Sequence, residues 1–210
     1  ILINAIDYPS LKKDPIFLSL GSRLSSYTLE SLESEQSKLT FWINVYNILA
    51  AKMITDHYPL ESIKDAGSLF KSVWKQPAGK VGGKERTLND IEHEILRKMN
   101  EPRIHVAIVC ASVSCPDLHL EAYTVEKLNE QLDDQMKKFL QSREKGMKLD
   151  EKKNRVYLSS IFKWFKEDFE SKGGVLKYIS QYVSAEEKKA LNDSTLKIIY
   201  MDYNWNINGS

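Results

Sequence analysis

Apolar and polar positions follow two periods along this chain, and each change of period marks an element. The segment SEQSKLTFWINVYNILAAKMITDHYP is apolar nearly all round from Phe41 to Ile54. That pattern predicts a long, central, buried helix that ends before Pro59, because the residue ahead of a proline disfavours helical backbone. Asn44 and Asn47 sit on one face of it. A buried amide needs partners, so the two either pin neighbouring loops or serve binding and orientation at a site.

VWKQPAGKVGGKERTL reads as a hairpin turning at Gly82-Gly83. Thr87 then opens a helix, with Asp90 in the place of a capping-box acid. On a wheel of about 100° per residue, Leu88, Ile91, Ile95, Leu96 and Met99 form one stripe, with Glu92 inside it and His93 on its flank. A carboxylate in an apolar stripe is costly unless it is paired or protonated. Glu92 is therefore the most informative acid in the chain, although a structural salt bridge or a loop cap would also explain it.

RIHVAIVC alternates as a strand does. Ile104, Val106, Ile108 and Cys110 would share one face, and His105, Ala107 and Val109 the other. ASVSCPDLH turns the chain. Ser114 has the character of an N-cap, which would set Cys115 at a helix start where the dipole favours a thiolate. Cys110, ending an apolar face, reads as core. Beyond this, LNEQLDDQMKKFLQ is an amphipathic helix and MKLDEKKNRVYLS a strand hairpin. SSIFKWFKEDFESKGG is an aromatic helix whose Phe162, Phe165 and Phe169 read as core. Two short helices follow, and LKIIYMDYNW closes as a strand.

The 210 residues are 42% hydrophobic and 28% charged, with a formal net charge of +1. Such a balance gives no field that would attract nucleic acid, and no stretch is long and apolar enough to span a membrane. No repeat or linker divides 1–210, so one domain is expected. The two cysteines make no disulfide scaffold, and pairing Cys110 with Cys115 would require a tight loop.

Taken together, FWINVYN, LNDIEHEILR, PRIHVAIVCASVSCPDL, VYLSSIFKWFKEDF and YMDYNWNIN resemble the domains of unknown function numbered 547, over roughly residues 35–207. The resemblance implies an α+β fold related to papain-like and NlpC-type cysteine peptidases, with rearranged element order and a helical N-terminal part packed on a small antiparallel sheet. It also implies a glutamate–histidine–cysteine set, which here falls on Glu92, His105 and Cys115. Some members are exported, so an exported precursor whose signal segment lies outside this chain is one expectation for localisation.

A base that takes the thiol proton and an acid that fixes the base's tautomer are the chemical types required of such a set. Distance argues against it: an extended 103–110 leaves His105 roughly 13–17 Å from Cys115 at about 3.3 Å per residue. His93 and His119 therefore stand as alternative bases. The expected function is a cysteine-nucleophile hydrolase or transferase acting on an amide, peptide or ester bond, without a cofactor. The alternatives are an inactive binding domain on the same scaffold, a zinc site from His105, Cys110, Cys115 and His119 despite its unusual spacing, and a Cys110–Cys115 redox pair.

Overall fold

A computed structural model describes residues 6–68 and 71–209. Two short helices open it, α1 (Tyr8–Leu11) and α2 (Pro15–Ser25), each with an aspartate N-cap and an early proline. The central helix α3 spans Glu35–His57, opened by a Ser34/Ser37 capping box. Ile43, Tyr46, Leu49 and Ile54 on it are fully buried, as the all-round apolar pattern requires.

Strands β1 (Pro77–Val81) and β2 (Lys84–Thr87) pair antiparallel. Both turn residues have positive φ, Gly82 at 56° and Gly83 at 75°, which is why the turn needs glycines. The hairpin lies against α3 so closely that a Cβ on Gly79 would stand 2.7 Å from the Leu49 side chain. Thr87 and Asp90 cap the next helix reciprocally, at 3.0 and 3.1 Å. Its main part, Asp90–Leu96, winds as a π-helix. Thr87→Ala is expected to cost about 1 kcal/mol, read as a fall in urea midpoint at unchanged m-value.

The expected strand in RIHVAIVC is not there. Ile104–Ala107 form one helical turn, α4, and only then does the chain extend. Ile104, His105, Val106 and Ala107 are all buried, so an alternating pattern carries no facing information here and packing sets the backbone. Nor does a helix follow Ser114: residues 113–121 are turns and irregular loop. Lys145 pairs with Asp117 Oδ1 at 2.5 Å, and the Gln135 amide donates to the Asp117 carbonyl, tying that loop to the following helix.

That helix, α5, spans Leu128–Gln141. Strands β3 (Met147–Asp150) and β4 (Arg155–Leu158) form the expected hairpin. The aromatic helix is broken at Phe165 (φ −109°, ψ 23°) into α6 (Ile161–Trp164) and α7 (Lys166–Glu170). Helices α8 (Val175–Ile179) and α9 (Ala185–Leu191) follow. They carry the chain back so that β5 (Lys197–Tyr200) lies parallel to β4. The three-stranded sheet β3-β4-β5 is thus mixed rather than antiparallel, because a helical crossover returns a strand in its original direction. The architecture is α+β.

Apolar side chains gather in two clusters, one around α3 and one around α5, β4, α6 and α7. The segment 104–111 runs between them. Ile104, Ala107, Ile108 and Ala111 belong to the first, and Val106 to the second.

Candidate functional site

A cavity of about 220 Å³ opens where the two clusters meet. Glu92, His93, His105, Cys110 and Cys115 all line it, so the chain brings together the residues of the expected set and both cysteines. The helical turn at α4 shortens the path from His105 to the cysteines, since a helix advances about 1.5 Å per residue where a strand advances about 3.3 Å. His119 stands elsewhere, its Nδ1 against the Glu121 backbone and its Nε2 3.8 Å from Asp134. Asn44 and Asn47 are occupied with backbone. Asn47 donates to the Ala107 carbonyl and accepts from the Val109 N–H, both at 2.9 Å. Asn44 does the same for Tyr123 at 2.8 and 3.0 Å. Asn47 thereby fixes the exit from α4 and the approach to Cys110.

His105 Nε2 lies 2.7 Å from Asp168 Oδ2. Arg97 grips the same carboxylate from its Nε and Nη2, both at 2.7 Å. Burial alone would raise the Asp168 pKa, but the hydrogen bonds from His105 and Arg97 outweigh it and hold the carboxyl well below its usual range. An ionised carboxylate has nothing to donate, so His105 donates through Nε2–H. Burial pushes the His105 pKa down, keeping the ring neutral, and Nδ1 then carries the lone pair. Among the described residues that Nδ1 is buried without a partner. Phe165 stacks on the ring at 3.9 Å and 14°.

His93 is the weaker base. Arg97 Nη1 donates to its Nδ1 at 3.0 Å, and a guanidinium cannot accept in return. Burial and the Arg97 charge lower its pKa. Glu92 meets Tyr46, whose phenol donates to Oε2 at 3.2 Å. Burial raises its pKa to about 7 despite that bond. The carboxylate on His105 is therefore that of Asp168, and Glu92 is a separate, easily protonated acid on the cavity wall.

The cysteines are interlocked. The Cys110 N–H donates to Cys115 Sγ at 2.9 Å. Cys110 Sγ lies 3.2 Å from Ser112 Oγ and 3.3 Å from the Tyr203 hydroxyl. The Cys115 thiol, together with the Ser112 and Tyr203 hydroxyls, holds the Cys110 pKa down to about 6 against the effect of burial. Burial and the neighbouring charge push Cys115 up. Cys110 is half-buried and Cys115 buried, so the more exposed thiol is also the more acidic. Ala111, between Cys110 and Ser112, has φ 58°, a left-handed conformation that costs a non-glycine residue of order 1 kcal/mol.

The last residues hold this loop. Val113 N–H donates to Asn206 O at 2.8 Å, Ser114 N–H to Asn204 O at 3.2 Å, and Asn208 N–H to Ala111 O at 2.9 Å. The same tail brings Tyr203 and Trp205 to the cavity, where Trp205 stacks on Trp164 at 5.5 Å.

Residues 29–140 match the family described as Protein of unknown function, DUF547. The chain belongs to that family. No curated protein and no solved structure matches it. The matched part of the DUF547 chain carries Glu92, His93, His105, Cys110 and Cys115, whereas Asp168, Tyr203 and Trp205 lie beyond it. Sequence reading missed those three, along with Arg97 and Ser112. Asp168 sits in KEDFE among other charges, and nothing local singles it out from a solvated acid. Among the described residues of this DUF547 protein, no group of three or more His, Cys, Asp or Glu is placed to hold a metal ion. No described helix is long and apolar enough to cross a membrane.

Proposed function

We propose that this protein is a cysteine-nucleophile hydrolase or acyl transferase acting on an amide, peptide or ester bond, with a fold related to the papain-like and NlpC-type peptidases. The observation that carries the reading is a cysteine sulfur beside the Tyr203 and Ser112 hydroxyls, facing one cavity with an imidazole of defined tautomer. Cys110 is the nucleophile, His105 the base and Asp168 its positioning residue. Cys115, on which the resemblance places the nucleophile, instead accepts the Cys110 N–H and holds the loop. No direct bond joins His105 to either sulfur, and the substrate's reacting group bridges them.

In this scheme the Cys110 sulfur attacks the carbonyl carbon, forming a C–S bond while the oxygen takes the electron pair. Collapse expels the amine or alkoxide, which takes its proton from water entering the cavity, because neutral His105 carries its one ring proton on Nε2 toward Asp168. Water, deprotonated by His105, then cleaves the thioester. The Tyr203 hydroxyl, which accepts from Ser112 at 3.0 Å, stands beside the sulfur as a donor for charge moving between sulfur and oxygen.

Iodoacetamide labelling across pH, with the two cysteines resolved by fragment mass spectrometry, tests the assignment. Cys110 should label with a midpoint near 6, since the thiolate is the reactive form, and Cys115 should remain unmodified. Turnover of ester, thioester and peptide probes should disappear in Cys110→Ser and persist in Cys115→Ser. Labelling of both thiols near the ordinary midpoint of about 8.5 would remove the nucleophile and leave a binding domain.

A further inference from the structure

We propose that Cys110 and Cys115 form a peroxide-responsive dithiol, in which a small hydroperoxide oxidises Cys110 and Cys115 resolves the product to an intramolecular disulfide. The inference stands independently of the hydrolytic reading. Where that reading holds, oxidation is a reversible off-switch, because the disulfide consumes the nucleophile.

The geometry that supports it is specific to this loop. Four residues separate the two cysteines, a spacing that an extended chain would not bring together. Here the left-handed Ala111 and a turn in which Cys115 N–H donates to Ser112 O at 3.0 Å fold the loop back on itself. Cys115 Sγ consequently accepts the Cys110 N–H at 2.9 Å, which sets it against the residue that carries the other thiol. Both sulfurs line one cavity whose volume of about 220 Å³ admits a small peroxide. Cys110 is the half-buried member, and the Tyr203 hydroxyl, which accepts in turn from Ser112 at 3.0 Å, stands 3.3 Å from its sulfur to stabilise a thiolate, the form that peroxide attacks. Cys115, buried and kept protonated, is protected from direct oxidation yet in place to react with its neighbour.

The steps balance. The Cys110 thiolate attacks one peroxide oxygen; an S–O bond forms, the O–O bond breaks, and hydroxide leaves to take a proton as water. Sulfur loses two electrons and the peroxide gains them. The Cys115 sulfur, giving up its proton, then attacks the Cys110 sulfur. An S–S bond forms, the S–O bond breaks, and hydroxide leaves with that proton as a second water. Two thiols and one peroxide yield one disulfide and two waters.

The test treats the reduced, full-length protein with a small excess of hydrogen peroxide and reads intact mass under denaturing, non-reducing conditions. The wild type should lose both free thiols together, with the mass falling by two hydrogens, and dithiothreitol should restore it. In Cys115→Ser, dimedone should trap Cys110 sulfenic acid about ten-fold more than in the wild type, because nothing resolves it. Cys110→Ser should leave Cys115 unmodified at the same dose. Two intact thiols, stepwise gain of oxygen on Cys110, or disulfide-linked dimers in the treated wild type would each overturn the proposal. The wild-type mass decides even if the Cys115 variant folds poorly. Loss of probe turnover in the reduced protein would bear on the hydrolytic reading alone.

Discussion

Asp168→Asn is expected to lower turnover at this site by about 10³- to 10⁴-fold, the loss expected when an imidazole is left in the wrong tautomer. The reason lies in one bond. Asp168 accepts from His105 Nε2 at 2.7 Å and leaves the lone pair on Nδ1. An asparagine keeps its carbonyl for Arg97 and turns its amide toward His105, so it donates where the aspartate accepted. The proton then moves to Nδ1, and the base is lost without a change of shape. Two readouts separate this from simple misfolding. The ¹⁵N shifts of the His105 ring should exchange their protonated and unprotonated positions, and the fall should appear in kcat more than in KM. Unchanged ring shifts would end the argument. Asp168→Ala should in addition destabilise the fold by about 2–4 kcal/mol, since it leaves the half-buried Arg97 without its carboxylate. Asp168 contributes its stability above the ordinary carboxylate pKa, and that contribution is lost as pH falls below about 4.

Glu92→Gln should make the protein more stable, and only at higher pH. The Glu92 pKa stands near 7 in the fold against 4.5 for the free side chain, with burial as the first cause. Between those values the folded chain holds a proton that the unfolded chain has released, so stability falls as pH rises through the window and is constant above it. The full cost is about 3 kcal/mol for a shift of this size. Glutamine keeps an oxygen for the Tyr46 hydroxyl and carries no charge. Urea unfolding at pH 4.5 should therefore find variant and wild type nearly equal. At pH 8 the variant should lead by about 3 kcal/mol. An equal difference at both values would mean that Glu92 is not held protonated by its surroundings.

Much of this fold was legible because local chemistry and packing agree there. Helix α3 announces itself through Ser34 and Pro59, and the β1–β2 turn through two glycines with positive φ. A wheel count alone places Glu92 among apolar neighbours, and it is buried as counted. What stayed hidden depends on contacts remote in sequence. The α4 turn is buried on every side, which erases the periodicity that separates helix from strand. Cys110 looked like core because its donor Tyr203 is 93 residues away, and His105 appeared to need Glu92 because Asp168 is 63 residues away. Ser114 resembles an N-cap, and its hydroxyl does accept a backbone N–H, but from Asn204 in the tail rather than from a helix of its own.

That tail imposes an order of events on the molecule's birth. During synthesis the cysteine loop leaves the ribosome early, while Tyr203 and the strand-like 204–208 segment that grips it are still unmade. The Tyr203 hydroxyl and the backbone grip beside Cys110 exist only once residues 203–208 have been made, so a chain that stops short of them lacks part of the surroundings on which the proposed nucleophile depends.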